Sequence, residues 1–192
     1  MATVNRESAN WRLFGGGGLI VGGLLWLVGQ VLIFAALSVV PPFVVAVGIL
    51  VVAIALFFVA FGETGSNGAV GASLFGKIVL VTLGLGWAVF AVLQVTASIG
   101  LSSPAALEYV GGILVVAGGV LSTFAIYERR VARGAARWVL AVPTVISILW
   151  VIIAFGWIDV TWSPFDTIVG LLLSAAYAVT GLLFLLNRRD VG

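Results

Sequence analysis

Six runs of about twenty apolar residues organise this chain, each separated from the next by a short polar, glycine-rich or proline-bearing break. The runs are Gly18–Val39, Pro42–Phe61, Ile78–Ile99, Leu107–Tyr127, Trp138–Trp157 and Thr167–Leu186. A helix rises about 1.5 Å per residue and the hydrocarbon core is about 30 Å thick, so each run predicts one membrane-spanning helix. Pro41-Pro42, Ser102-Ser103-Pro104 and Ser163-Pro164 mark turns, because proline cannot continue a preceding helix. Gly62–Gly76 (GETGSNGAVGASLFG) reads as a flexible polar loop and Glu128–Arg137 (ERRVARGAAR) as a charged one. The predicted fold class is all-α. It is a polytopic membrane protein whose residues 1–192 form a single six-helix domain, with 1–12 and 187–192 as its tails.

Charge gives the pattern a direction. Arg6 and Arg12 precede the first run, and Lys77 lies between the second and third. Arg129, Arg130, Arg133 and Arg137 lie between the fourth and fifth, and Arg188 and Arg189 follow the sixth. The other connections carry only Glu108, Asp159 and Asp166. Cations gather on the cytoplasmic side of membrane proteins, so both termini are expected in the cytoplasm and the chain in the cell (inner) membrane. Trp11 and Trp138 fit an inner aromatic belt, and Tyr109, Trp157 and Trp162 an outer one. A cleaved signal peptide is not expected, since such peptides have apolar cores of about 7–15 residues and the first run is longer.

Composition agrees with lipid as the solvent. The chain is 62 % hydrophobic and 8 % charged, where a soluble domain carries about a quarter charged residues. Its mean hydropathy is +1.29. Net charge is only +2 and the cations sit at span ends, so no nucleic-acid partner is expected. The bilayer is the expected partner, with a homo-oligomer or another membrane protein left open. There is no Cys and no His, which removes disulfides, thiolate chemistry and the usual zinc, haem and iron–sulfur ligands. No cofactor or metal is expected. The Gly15–Gly18 run lacks the Lys-Ser/Thr of a phosphate loop and the strand before it.

A shift of 60 residues superposes Lys77 on Arg137, Ser103 on Ser163, Pro104 on Pro164 and Arg129 on Arg189 without a gap. Spans three to four and five to six then read as two copies of one hairpin, with the first hairpin fitting loosely through Arg12 and Ser38…Pro41. Chance alignment of two apolar hairpins is the competing reading. Three hairpins with short Pro-bearing turns and Gly-dotted helices resemble the HdeD-like acid-resistance membrane protein family. The likeness is greatest over Trp138–Arg189, with Pro164 at the turn and Gly170, Ser174 and Gly181 along the last helix. That resemblance implies a stress-associated membrane role and carries no site residues.

No span holds an ionisable residue in its interior, which argues against a proton relay or a voltage sensor. Lys77 sits at a span end, as an interface anchor and not as a Schiff-base lysine. The polar candidates are Gln30, Gln94, Thr144, Ser147, Ser174 and Tyr177, with Thr180 one turn further. An amide in lipid needs a partner, so Gln30 and Gln94 are expected to face protein. Two readings are open: bonds between helices, or a path for water or a neutral solute lined by Gln30, Ser147, Ser174 and Tyr177. Pro143 frees the Val139 carbonyl in a helix interior, with Thr144 or Ser147 placed to re-satisfy the turn. Small residues at four-residue spacing form close-packing seams: Gly18 and Gly22, Gly84 and Ala88, Gly118 and Ser122, and Gly170, Ser174 and Ala178. Glu128, Arg129, Arg130 and Arg133 suit topology anchoring first and anionic headgroups second.

Three function classes compete. The expected one is a small non-catalytic integral membrane protein with a packing, accessory or stress-associated role. The alternative is a passive channel or carrier for a small neutral solute. An enzyme is not expected, because Glu108, Asp159 and Asp166 are the only outer acidic groups and nothing brings them together.

Overall fold

The computed structural model describes residues 11–35, 40–62, 68–102, 104–129, 131–132, 134–154 and 165–186. They form α1 (Gly17–Phe34), entered through a π-helical turn at Trp11–Gly16, then α2 (Val40–Phe61), α3 (Leu74–Ser98) and α4 (Ala105–Arg129). A short 3-10 turn, Gly134–Arg137, leads to α5 (Ala141–Ala154), and α6 (Phe165–Leu186) follows. Six helical stretches among the described residues are long and apolar enough to cross a membrane: Trp11–Phe34, Pro42–Phe61, Leu74–Ser98, Ala105–Arg129, Gly134–Ile152 and Thr167–Leu186. The chain is an all-α, multi-pass integral membrane protein.

The helices close a ring. α1 packs on α2 and α6, α2 on α3, and α3 on α4, while α5 bridges α4 and α6 more thinly. Lipid tails are as apolar as leucine, so helices gain nothing from leaving them and must pair by close contact. Glycine supplies that contact here. A Cβ on Gly22 would lie 2.7 Å from the Val52 nitrogen, and one on Gly23 would lie 2.7 Å from the Ala178 nitrogen and 2.8 Å from the Ser174 carbonyl oxygen. Gly48 returns the contact against the Trp26 backbone. Between α3 and α4 the same role falls to Gly86 against Val115 and Gly118 against Leu83. The seams Gly18–Gly22 and Gly170–Ser174–Ala178 therefore face into the bundle, the first toward α2 and the second toward α1. The surface facing away carries Val21, Leu24, Val28, Ile54, Leu85, Val92 and similar side chains.

Four expectations change. The first span is already helical at Trp11, the first described residue, ahead of Gly18, because Gly15 and Gly16 continue the helix and let it approach Val59 and Gly181. Trp11 itself is core and not belt: it is 1 % exposed and packs edge-on against Phe184, with ring centroids 5.5 Å apart. The connection after α2 is no free polar loop throughout, since Gly68, Ala69 and Val70 are buried and the Ala69 N–H donates to the Val59 carbonyl at 2.7 Å. Ser73 then caps α3 by accepting from the Gly76 N–H at 3.1 Å, which starts that helix at Leu74. Pro143 lies in the first turn of α5 and not in a helix interior, so its missing N–H has no bond within that helix to lose.

Trp138 is 55 % exposed, and its ring lies 4.3 Å from that of Tyr127 near the cation-bearing end. Tyr109 is 50 % exposed at the opposite end. The expectations for Arg6, Arg130, Arg133, Arg188, Arg189, Trp157, Asp159, Trp162, Ser163 and Pro164 fall outside the described residues.

Candidate functional site

Three helices bring matching stripes to one place. Trp26, Gln30 and Ile33 recur along α1, Trp87, Phe90 and Gln94 along α3, and Gly170 and Leu173 along α6. Each stripe has the three- and four-residue spacing that stacks side chains on one helix face. With Val45 and Ile49 of α2, Trp150 of α5 and Thr167, they line a cavity of about 310 Å³. Ile33, Val45, Gln94, Trp150 and Thr167 belong to the helix ends opposite Arg12, Lys77, Arg129 and Arg137. The cavity thus occupies the half of the bundle away from the cations. Down α6 it extends from Thr167 to Leu173, about 9 Å of helix rise.

Its floor is aromatic and bonded. The Trp87 indole N–H donates to the Tyr177 hydroxyl at 2.6 Å. Tyr177 is 1 % exposed and Trp87 likewise, and their rings meet edge to face with centroids 5.6 Å apart. Trp26 completes the layer, 5.1 Å from Trp87 and stacked on Tyr177 at 6.3 Å. Above the floor Phe90 joins Trp87 at 5.8 Å and Trp150 at 4.8 Å. The Trp26 indole N–H is buried and has no hydrogen-bond partner among the described residues.

The two glutamines supply the amides of a wall whose other polar groups are the Thr167 hydroxyl and tryptophan indole N–H groups. The Gln30 amide lies against Gly170, where a Cβ would collide with its nitrogen, so glycine at 170 makes the room the amide uses. Among the described residues no hydrogen bond reaches the Gln30 or Gln94 side chain. Both residues are half-buried, with their amides open to the cavity, so both groups can bond whatever enters. No titratable side chain lines the cavity among the described residues.

The other hydroxyl candidates are used elsewhere. Ser147 donates to the Pro143 carbonyl at 2.7 Å and Ser174 to that of Leu171 at 2.9 Å. Thr144 donates to the Leu140 carbonyl at 2.6 Å and lies 3.5 Å from the Thr123 hydroxyl, at the contact of α4 with α5. Thr180 donates to Ala176 at 2.8 Å. Of the expected path residues, Gln30 reaches the cavity, Tyr177 lies behind the lining and bonds Trp87, and Ser147 and Ser174 are buried in helix contacts. The aromatic wall was not anticipated; the signal for it was the recurrence of Trp and Phe one turn from each glutamine.

No family model matches the chain, and no curated protein or solved structure matches it at a significant level.

Proposed function

We propose that this protein is a non-catalytic membrane protein that binds a small neutral solute between its helices, in the cell membrane with both termini in the cytoplasm. One observation carries the reading: two glutamine amides without partners among the described residues share one aromatic-walled cavity. Side chains that only tie helices together spend their hydrogen bonds on one another, as Trp87 and Tyr177 do. A volume of about 310 Å³ lies within the range of small-molecule sites. The bonded Trp87–Tyr177 floor favours binding over an open channel. The cation distribution supports the orientation, and the absence of an acid, base or nucleophilic thiol from the described wall supports a non-catalytic role. The HdeD-like resemblance of Trp138–Arg189 adds a stress-associated setting, on sequence pattern alone.

Native mass spectrometry of the chain, extracted gently from its own membrane at native abundance, tests this. The expected result is a chain or homo-oligomer retaining a small non-lipid molecule, which is lost when Ile49→Trp fills the cavity. A chain that carries no such molecule and sits in a fixed-stoichiometry complex with other polypeptides would instead establish the accessory-subunit role.

A further inference from the structure

We infer that the cavity takes a small, flat, uncharged aromatic molecule bearing a carboxamide-like group, with a hydrogen-bond donor and acceptor side by side. The inference rests on the binding reading above and narrows it to a ligand class.

Shape and wall chemistry argue for a ring. Trp87, Phe90 and Trp150 form a chain of edge and tilted contacts along the wall, and Trp26 stands beside Trp87 at its base. A flat ring entering such a wall gains edge-to-face and offset contacts that an alkyl chain does not. Charge argues for neutrality. An ion placed here meets no formal counter-charge from the described wall.

Hydrogen bonding argues for the amide. Gln30 and Gln94 each present a carbonyl acceptor and an amino donor, and neither is bonded among the described residues. A side-chain amide pairs best with a donor and acceptor lying next to each other, as glutamine does at an adenine edge. An ether only accepts and a hydrocarbon does neither, while a hydroxyl offers its donor and acceptor on one atom and does not match the two-point edge of an amide. Gln30 is four residues beyond Trp26, and Gln94 is four residues beyond Phe90. Each amide thus stands about one helical turn beyond an aromatic side chain, the arrangement for a ring set below and a polar group above.

The probes are benzamide, toluene and benzyltrimethylammonium, titrated against the full chain in lipid nanodiscs. Binding is read from tryptophan emission and corrected with protein-free nanodiscs. Benzamide is expected to bind about ten-fold more tightly than toluene, the difference one good hydrogen-bonded pair provides. The ammonium ion is expected not to bind. In the Q30L/Q94L double variant the preference for benzamide should vanish while toluene still binds, and that retained binding reports an intact cavity. The wild-type comparison decides the ligand class even if the double variant does not fold. Toluene binding as tightly as benzamide, or the ammonium ion binding more tightly than either, overturns the class and leaves a cavity that binds. If no probe binds, the binding function falls with it.

Discussion

Replacing Gly23 by alanine tests the pairing of α1 with α6 at its closest point. The new Cβ would lie 2.7 Å from the Ala178 nitrogen, 2.8 Å from the Ser174 oxygen and 3.1 Å from the Ala178 Cα. All three are backbone atoms, so no side-chain rotation relieves the overlap. Ordinary contact begins near 3.4 Å. The helices must therefore part by about 0.7 Å, a gap that forfeits about a quarter to a half of each dispersion contact it opens. Overpacking of this kind costs about 1–3 kcal/mol, and alanine's better helix propensity returns at most about 1 kcal/mol. The expected net loss is about 1–2 kcal/mol. Gly17→Ala is the matched control, because a Cβ there meets nothing within 4 Å. It should unfold within about 0.5 kcal/mol of wild type or be slightly more stable. Reversible unfolding in mixed micelles titrated with dodecyl sulfate, followed by helical circular dichroism, measures both. Equal midpoints for the two variants would refute the claim that backbone contact through glycine holds α1 to α6.

Two further substitutions probe the polar groups of the interior. Tyr177→Phe keeps the ring but leaves the Trp87 indole N–H without its acceptor, now at 2.6 Å, and should cost about 1–2 kcal/mol. A cycle with Trp87→Phe should return a coupling of about 0.6–1.7 kcal/mol, and a coupling near zero would show that the floor is merely packed. Ser122→Ala removes a buried hydroxyl that has no partner among the described residues, so stability should hold or rise by up to about 1 kcal/mol. A loss larger than that would mean the hydroxyl is bonded in the membrane.

The spans were readable because lipid imposes one rule on every residue of a crossing helix. The runs Pro42–Phe61 and Thr167–Leu186 each fall within one helix, α2 (Val40–Phe61) and α6 (Phe165–Leu186). Where reading failed, the reason was tertiary. The Gly15–Gly18 run looks like a break in any local scale, yet Val59 and Gly181 require glycine opposite them. Residues 68–70 look like loop by composition, but an Ala–Val pair and a backbone bond to Val59 bury them. Trp11 looks like an interface residue until Phe184 is known to face it. Within the site, Gln30 and Gln94 stood out as amides in lipid. That they share a cavity while Ser147 and Ser174 bond within their own helices depends on helix rotation, which the weakly amphipathic runs do not encode. The direction of the small-residue seams was hidden for the same reason.

The cavity wall carries no titratable group among the described residues, and this bears on energy supply. A membrane protein draws on the proton gradient through groups that exchange protons, and on the voltage through charge moved in the field. The second is worth about 2.3 kcal/mol per elementary charge for each 100 mV. A neutral molecule seated among Gln30, Gln94 and the tryptophans engages neither source, since it moves no charge and its contacts titrate nowhere. On the solute-binding proposal, these described residues offer neither source a handle, and filling of the cavity should follow the solute concentration equally in a respiring cell and in a de-energised one.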